Sequence, residues 1–211
     1  GSHAISTASP STVIVRAENA NTIYSVGGAI GAAKKAGVGI AIAFNFIQPT
    51  VKARIIDSHL NIGDINNSAT TDASALTVSA TNSGEIHSIS AGGAGAEKIA
   101  VAGGISVNII LSDVQAYISG ATTVIRATGD IIVSAQGTNN IYALSGNAAG
   151  AGKAAVGAAL SYNQNESKVS AYIDGATVES INGNIFIDAQ TAGEMIAIAA
   201  GGAFSGKVAV D

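Results

Sequence analysis

The chain has 211 residues with ten Lys and Arg against fourteen Asp and Glu, which gives a net charge of −4. The absence of cysteine excludes disulfides and thiolate metal sites, and the small number of basic residues argues against nucleic-acid binding and against a polybasic membrane anchor. Alanine contributes 41 residues and glycine 26, whereas aromatic residues make up only 4%. Such small side chains suit flat, closely stacked strands better than a single globular core.

Taken in chain order, the sequence predicts one domain made of strands. We interpret Gly1–His3 as a remnant of cloning and residues 4–211 as a single domain. The uncharged apolar stretches Ala36–Ile47 and Ile99–Leu111 fall well below the roughly 20 residues that span a bilayer, which predicts no stable membrane insertion. Period-two alternation of Val, Ile, Tyr and Thr, as in Val169–Ile173, predicts strands. The glycines within the alanine-rich runs disfavour helix.

The chain repeats itself at intervals of about 55 residues. Similar blocks begin near Ala17, Ala80, Ala135 and Ala189. The repeats span 17–79, 80–134, 135–188 and, incompletely, 189–211. The first repeat is eight residues longer than the second, and we assign the extra residues to the polar, turn-forming segment Ser58–Thr71. Many strands at a fixed interval, with no helical stretch between them, predict an all-β fold of the β-solenoid type.

The number of coils in each repeat has two possible answers. Four strand runs per repeat favour two coils of about 27 residues over three of about 18. Across these two divisions, strand spacing predicts a rod roughly 35 to 55 Å long. A trimeric β-roll adhesin, with shorter repeats, is the structural alternative. Because both ends of the chain fall within repeats, we expect end-to-end self-association.

Two residue types recur at the repeat interval. Lysines at one position would form a basic stripe, which is either a contact line for anionic glycans and acidic surfaces or a protection against stacking of other chains. These candidates for binding are Lys35, Lys98, Lys153 and Lys207. Asparagines recur at a second position, where we expect a structural ladder that satisfies backbone groups at turns. They are Asn45, Asn108 and Asn163.

Several segments carry a family resemblance. The run Lys168–Val178 (KVSAYIDGATV), followed by Asn184–Gln190 (NIFIDAQ), resembles the repeats of very large exported adhesins of the leukotoxin-type filamentous family, relatives of filamentous haemagglutinin. The block that begins with Ile141–Gly146 (IYALSG) and ends in LSYN resembles them too. The resemblance extends from about Ala17 to the last residue, although Arg54 replaces the tyrosine of the motif in the first repeat. It implies a right-handed parallel β-helix, secreted or displayed on the surface of Gram-negative bacteria, usually by two-partner secretion.

The resemblance implies a function without catalysis. The chain would be a segment of a bacterial filamentous adhesin involved in virulence, acting as stalk, as adhesive surface or as both. Its partner would be an unidentified glycan or protein on a host or bacterial cell, with no nucleic acid and no cofactor. Two alternatives stay open: a fragment of a pore-forming, leukotoxic exoprotein, and a polysaccharide-active β-helix enzyme.

The sequence offers little support for an enzyme or a metal site. Glycoside cleavage needs paired carboxylates, and the clear break in the repeats offers only Asp57, His59 and Asp64. Outside the cloning remnant the histidines are His59 and His87, which are too few and too far apart in the sequence to predict a metal site. We therefore predict no catalytic residues and no metal ligands.

Overall fold

The computed structural model describes residues 3–7, 11–65 and 74–211, the first of these ranges as backbone only. All regular elements in the described residues are β-strands, so the all-β prediction is confirmed. The strands are β1 (His3–Thr7), β2 (Thr12–Ala33), β3 (Ala36–Ile47), β4 (Thr50–Ile56), β5 (Ser58–Ile62), β6 (Ala75–Ala96), β7 (Ile99–Ser119), β8 (Val124–Ala127), β9 (Ile131–Ala151), β10 (Ala154–Asp174), β11 (Thr177–Ser180), β12 (Ile185–Ala192), β13 (Met195–Ser205) and β14 (Val208–Val210).

The strands form three parallel sheets. Sheet A consists of short strands in the order β1-β5-β8-β11. Sheet B has the order β2-β6-β9-β12, with β13 also paired to β9, and sheet C has the order β3-β7-β10-β14, with β4 also paired to β7. The chain passes from sheet B to sheet C and then to sheet A before it returns to sheet B.

Strands that are neighbours in a sheet lie about one predicted repeat apart in the sequence. In sheet B, Ala17 pairs with Ala80, Ala80 with Ala135 and Ala135 with Ala189, so the predicted repeat boundaries form one row. Each repeat-length of chain therefore makes a single circuit of the three sheets. Both predicted divisions, into two or three coils per repeat, are wrong. The predicted rod length is wrong for the same reason, because about three and a half layers at strand spacing extend only roughly 15 to 20 Å.

The unusual length of the strands explains this error. β6 has 22 residues and β7 has 21, whereas strands usually have about five or six. The Gly- and Ser-containing stretches that separate the apolar runs in the sequence do not end these strands. They continue the parallel ladder, so four apparent runs are two long strands with one short strand of sheet A between them.

The extra residues of the first repeat also begin later in the sequence than predicted. The first five residues of the predicted insertion, Ser58–Thr71, form β5 and pair with sheet A. Fourteen positions separate Ile62 from Leu76, whereas four separate the equivalent residues Ala127 and Ile131. The longer connection therefore follows Ile62, and most of it lies outside the described residues.

The interior changes along the long strands from large side chains to almost none. Where sheet A joins sheets B and C, aliphatic side chains fill a three-sided core that includes Leu76, Ile118, Ile125 and Ile131, all fully buried. We call this part of the molecule the wide half. Toward the bends that lead from sheet B to sheet C, the two long sheets converge on a second, alanine core. It contains Ala100, Ala102, Ala149 and Ala155. We call this part the narrow half.

In the narrow half, glycines allow the two long sheets to approach backbone to backbone. A Cβ atom added to Gly104 would collide with the carbonyl oxygen of Gly146 across the interior, and one added to Gly92 would collide with that of Gly103. Sheets with ordinary side chains between them pack about 10 Å apart. At these glycines the separation leaves no space for a side chain.

Candidate functional site

The four lysines predicted as a stripe lie at the bends between sheet B and sheet C. Equivalent bends stack on one another, since the N–H of Ile99 donates to the carbonyl of Lys35 (3.1 Å) and the N–H of Ala154 to that of Lys98 (3.0 Å). The next pair of bends is linked in the same way. Successive lysine backbones are therefore about 4.8 Å apart. We name the row Lys35, Lys98, Lys153 and Lys207 the lysine edge.

The lysine edge is exposed and strongly basic. All four side chains are exposed, and the four ion pairs found among the described residues lie elsewhere. At the preceding position the first two bends carry Lys34 and Glu97, and the last two carry glycine. The bends together thus hold five positive charges against one negative charge. Because like charges repel, an anionic group lying along the edge would lower the electrostatic free energy of the row.

The asparagines predicted as a ladder lie within strands and not at turns. Asn45, Asn108 and Asn163 pair with one another in sheet C and point into the interior. The amide of Asn45 donates to Oδ1 of Asn108, and the amide of Asn108 donates to Oδ1 of Asn163, each over 2.7 Å. Asn108 also donates to the hydroxyl of Ser106 at 2.9 Å. The expectation that they satisfy backbone groups at turns is wrong, because side chains of the adjacent layers satisfy them.

A second internal ladder of asparagines was not predicted from the sequence. The amide of Asn19 donates to Oδ1 of Asn82 (2.7 Å), and that of Asn82 donates to Oδ1 of Asn139 (3.0 Å). The backbone partner of Asn82 is Gly137, so Asn139 lies two positions further along its strand. Its carboxamide occupies the space above Gly84, where a Cβ atom would clash with Oδ1. The shift of two residues hides this ladder from a comparison of equivalent positions.

A row of stacked rings lies on the outer face of sheet B. His87 stacks between Tyr24 and Tyr142, with centroids 4.8 and 5.0 Å apart. Nε2 of His87 is 2.9 Å from a carboxylate oxygen of Glu85, and the Tyr142 hydroxyl donates to Glu194 at 3.2 Å. Partial burial and the Glu194 carboxylate raise the pKa of the Tyr142 hydroxyl above its ordinary value. In-register parallel pairing produces such rows, and the stacked rings stabilise adjacent layers.

Arg54 belongs to a similar row on sheet C, at the end of its strands that leads to sheet A. It pairs with Tyr117, which in turn pairs with Tyr172. The two tyrosine rings stack with centroids 4.9 Å apart, and the Arg54 guanidinium donates to the Tyr117 hydroxyl at 3.4 Å. That hydrogen bond raises the pKa of Arg54 above its ordinary value. The arginine that departs from the repeat motif therefore still contacts its row.

Two residues at the break in the repeats, Asp57 and His59, occupy ordinary positions at a corner and on a strand. Asp57 lies at the corner between sheets C and A with φ of 48°, and the equivalent corners use Gly120 (φ 108°) and Gly175 (φ 64°). The Asp57 carboxylate accepts a hydrogen bond from the Thr122 hydroxyl at 3.1 Å. His59 is exposed on β5.

Among residues 11–65 and 74–211, no group of three or more His, Asp or Glu side chains is arranged to hold a metal ion. The described part of the chain also contains no helix long and apolar enough to cross a membrane.

Comparison of the chain with protein-family models, with curated proteins and with solved structures finds no match in any of the three. The resemblance to filamentous adhesin repeats therefore stays a prediction from the residues.

Proposed function

We propose that the chain is part of a right-handed parallel β-solenoid in a large secreted or surface-displayed filamentous protein of bacteria, where it acts as stalk, as adhesive surface or as both. The observation that carries this proposal is the register. In all three sheets each unit lies on the preceding unit with equivalent residues paired. Such an arrangement lengthens by adding units without any new type of contact. The resemblance of the repeats to exported filamentous adhesins supports the same function.

We assign adhesion to the lysine edge. Its charges recur at strand spacing, about 4.8 Å, so a linear anionic glycan or an acidic protein segment can contact several lysines at once. One surface lysine contributes little to binding, whereas several contacts made together strengthen binding through their effective concentration. The whole chain has a net charge of −4, so attraction of an anion depends on this local row and not on the total charge.

Binding of the fluorescently labelled chain to whole bacterial and mammalian cells tests this proposal. The test variant is Lys98→Glu with Lys153→Glu, which reverses the two central charges of the lysine edge. The control with an equal change in net charge is Lys52→Glu with Lys168→Glu on the outer face of sheet C, where Lys52 forms an ion pair with Asp113 at 3.9 Å. We expect saturable binding by the wild type and the control, and at least about tenfold weaker binding by the test variant, more at low ionic strength.

The stability of the test variant provides a control for this experiment. Because the lysine side chains are exposed, the free energy of unfolding of the test variant should stay within about 0.5 kcal/mol of the wild type. Equal binding by both variants would show that the lysine edge is not the contact surface. Absence of saturable binding by any form would remove the adhesive role and leave the stalk role alone.

A further inference from the structure

One outer face of the molecule is uncharged and largely apolar over its narrow half. In sheet C the interior positions are taken by small or polar residues such as Gly39, Ala41 and Asn45, and the large side chains point outward. Ile42 on β3 is 65% exposed and Leu160 on β10 is 59% exposed; both lie on strands at the open edges of this part of the sheet, and Ile105 between them is partly exposed. The outward positions of 36–46, 99–109 and 154–164 hold no charged residue. We call this surface the apolar face.

The apolar face is ordered in rows across three strands. Ile42, Ile105 and Leu160 form one row, and the row beside it consists of Phe44, Val107 and Tyr162. On the other side of the first row, Gly103 and Ala158 follow Ile40 and leave a shallow hollow between larger side chains. Ridges beside a hollow allow the side chains of a second sheet to interdigitate with those of this one.

Toward the bends the outer face of sheet B is also uncharged, and Val26, Ile30 and Leu144 point outward there among small residues. It differs from the apolar face nearer the wide half. It carries Arg16 and Glu18, which form an ion pair, and Glu85 beside His87. These groups would lose hydration without gaining a partner if an uncharged surface covered them. The apolar face has no such cost, because it buries no charge. An uncharged face is complementary to another uncharged face, because neither loses the hydration of a charge when they meet.

We propose that the apolar face is a contact surface for a second copy of this chain, packed sheet against sheet about 10 Å apart. A twofold axis between the copies would place the same rows on both sides of the contact, which makes the interface self-complementary. Hydrophobic burial supplies its stability. A patch of this kind exceeds the scattered single apolar residues that are normal on the surface of a monomer.

The size of the apolar face sets the strength of the contact. The three strands cover about 36 Å along their length and about 14 Å across, roughly 500 Å² per copy. Two copies would bury roughly 1,000 Å² together, which is at the lower limit for specific interfaces. The dimer is therefore weak, and about half of the chains should be paired near roughly 100 µM.

Sedimentation velocity of the 20.6-kDa chain over a concentration series tests the proposal. The test variant is Ile42→Lys with Leu160→Lys, which adds two charges to the apolar face. The matched control is Val26→Lys with Leu144→Lys, on equivalent rows of the outer face of sheet B. We expect the wild type and the control to shift from monomer to dimer. The test variant should stay monomeric or dimerise at least about tenfold more weakly. If the lysines prevent folding, as judged by circular dichroism, Ile42→Thr with Leu160→Thr replaces them.

Four results would overturn the proposal. The first is a wild-type chain that stays monomeric up to about 1 mM. The second is equal dimerisation of the test variant and the control. The third is growth beyond a dimer that the test variant does not reduce, which would indicate stacking through sheet edges. The fourth is uptake of monomer by vesicles of neutral phosphatidylcholine, lost in the test variant, which would make lipid the occupant.

Discussion

The wide and narrow halves are built from the same strands but are stabilised in opposite ways. In the wide half, sheet A holds sheets B and C apart, and the space is filled by residues such as Ile118 and Ile125. In the narrow half there is no third sheet, and Gly92 and Gly104 bring the two backbones together. Packing of buried side chains stabilises the wide half. In the narrow half, the absence of side chains at glycines lets the two backbones come into contact.

The difference shows that hydrophobic alternation alone does not tell which face of a strand is buried. In β7 the inward residues of the wide half include Val114 and Ile118. In the narrow half of the same strand the inward residues include Ala102 and Gly104, and Ile105 points outward. The distance to the opposing sheet decides which side-chain size fits inside. Shortening a side chain should therefore destabilise the wide half, whereas enlarging one should destabilise the narrow half.

The largest effect is expected from shortening a side chain in the wide half. Ile118→Ala should lower the free energy of unfolding by about 4 kcal/mol, because it leaves a cavity in the three-sided core. Urea denaturation would measure this loss. The control is Ile14→Ala, since Ile14 is 62% exposed on sheet B; we expect it to change stability by about 0.5 kcal/mol at most. Similar losses for the two variants would mean that this core does not dominate stability.

The next largest effect is expected from adding one methyl group in the narrow half. Gly104→Ala should lower the free energy of unfolding by about 3 kcal/mol, because the new Cβ meets backbone atoms of the opposing sheet, which cannot rotate away. Gly95→Ala is the control, since nothing lies within 4 Å of a Cβ there. Thermal unfolding should separate the two variants clearly. A Gly104→Ala variant as stable as the control would contradict the close approach of the sheets.

A smaller effect is expected at the polar layer where the narrow half begins. Asn108→Ala should lower the free energy of unfolding by about 2 kcal/mol, because it removes a partner from the amide of Asn45 and the carbonyl oxygen of Asn163. Gln136→Ala, on the outer face of sheet B, should leave stability nearly unchanged. Chemical denaturation of both would check this. No loss at Asn108 would indicate that the ladder fixes register without adding stability.

Much of the fold could be predicted because parallel pairing leaves a direct trace in the sequence. Residues that stack recur at the unit length, as Lys98 and Lys153 do at the bends and Asn108 and Asn163 do in sheet C. The number of circuits per unit could not be predicted. Glycines such as Gly92 and Gly104 resemble strand breaks unless the close approach of the other sheet is known. The apolar face was missed for the same reason, because large alternating residues suggest an interior.

The way successive layers are joined has a mechanical consequence. Backbone hydrogen bonds between layers run along the stacking direction, and β7 alone pairs with β10 over 21 residues. The covalent link from one layer to the next lies only at the corner where sheet A leads back to sheet B. Traction applied evenly to a layer is shared by all its bonds. Traction on the chain itself acts at that corner and would peel the layer, releasing about 180 Å of extended chain per unit. Under tension the molecule would then extend in steps of one unit each before its layers separate completely.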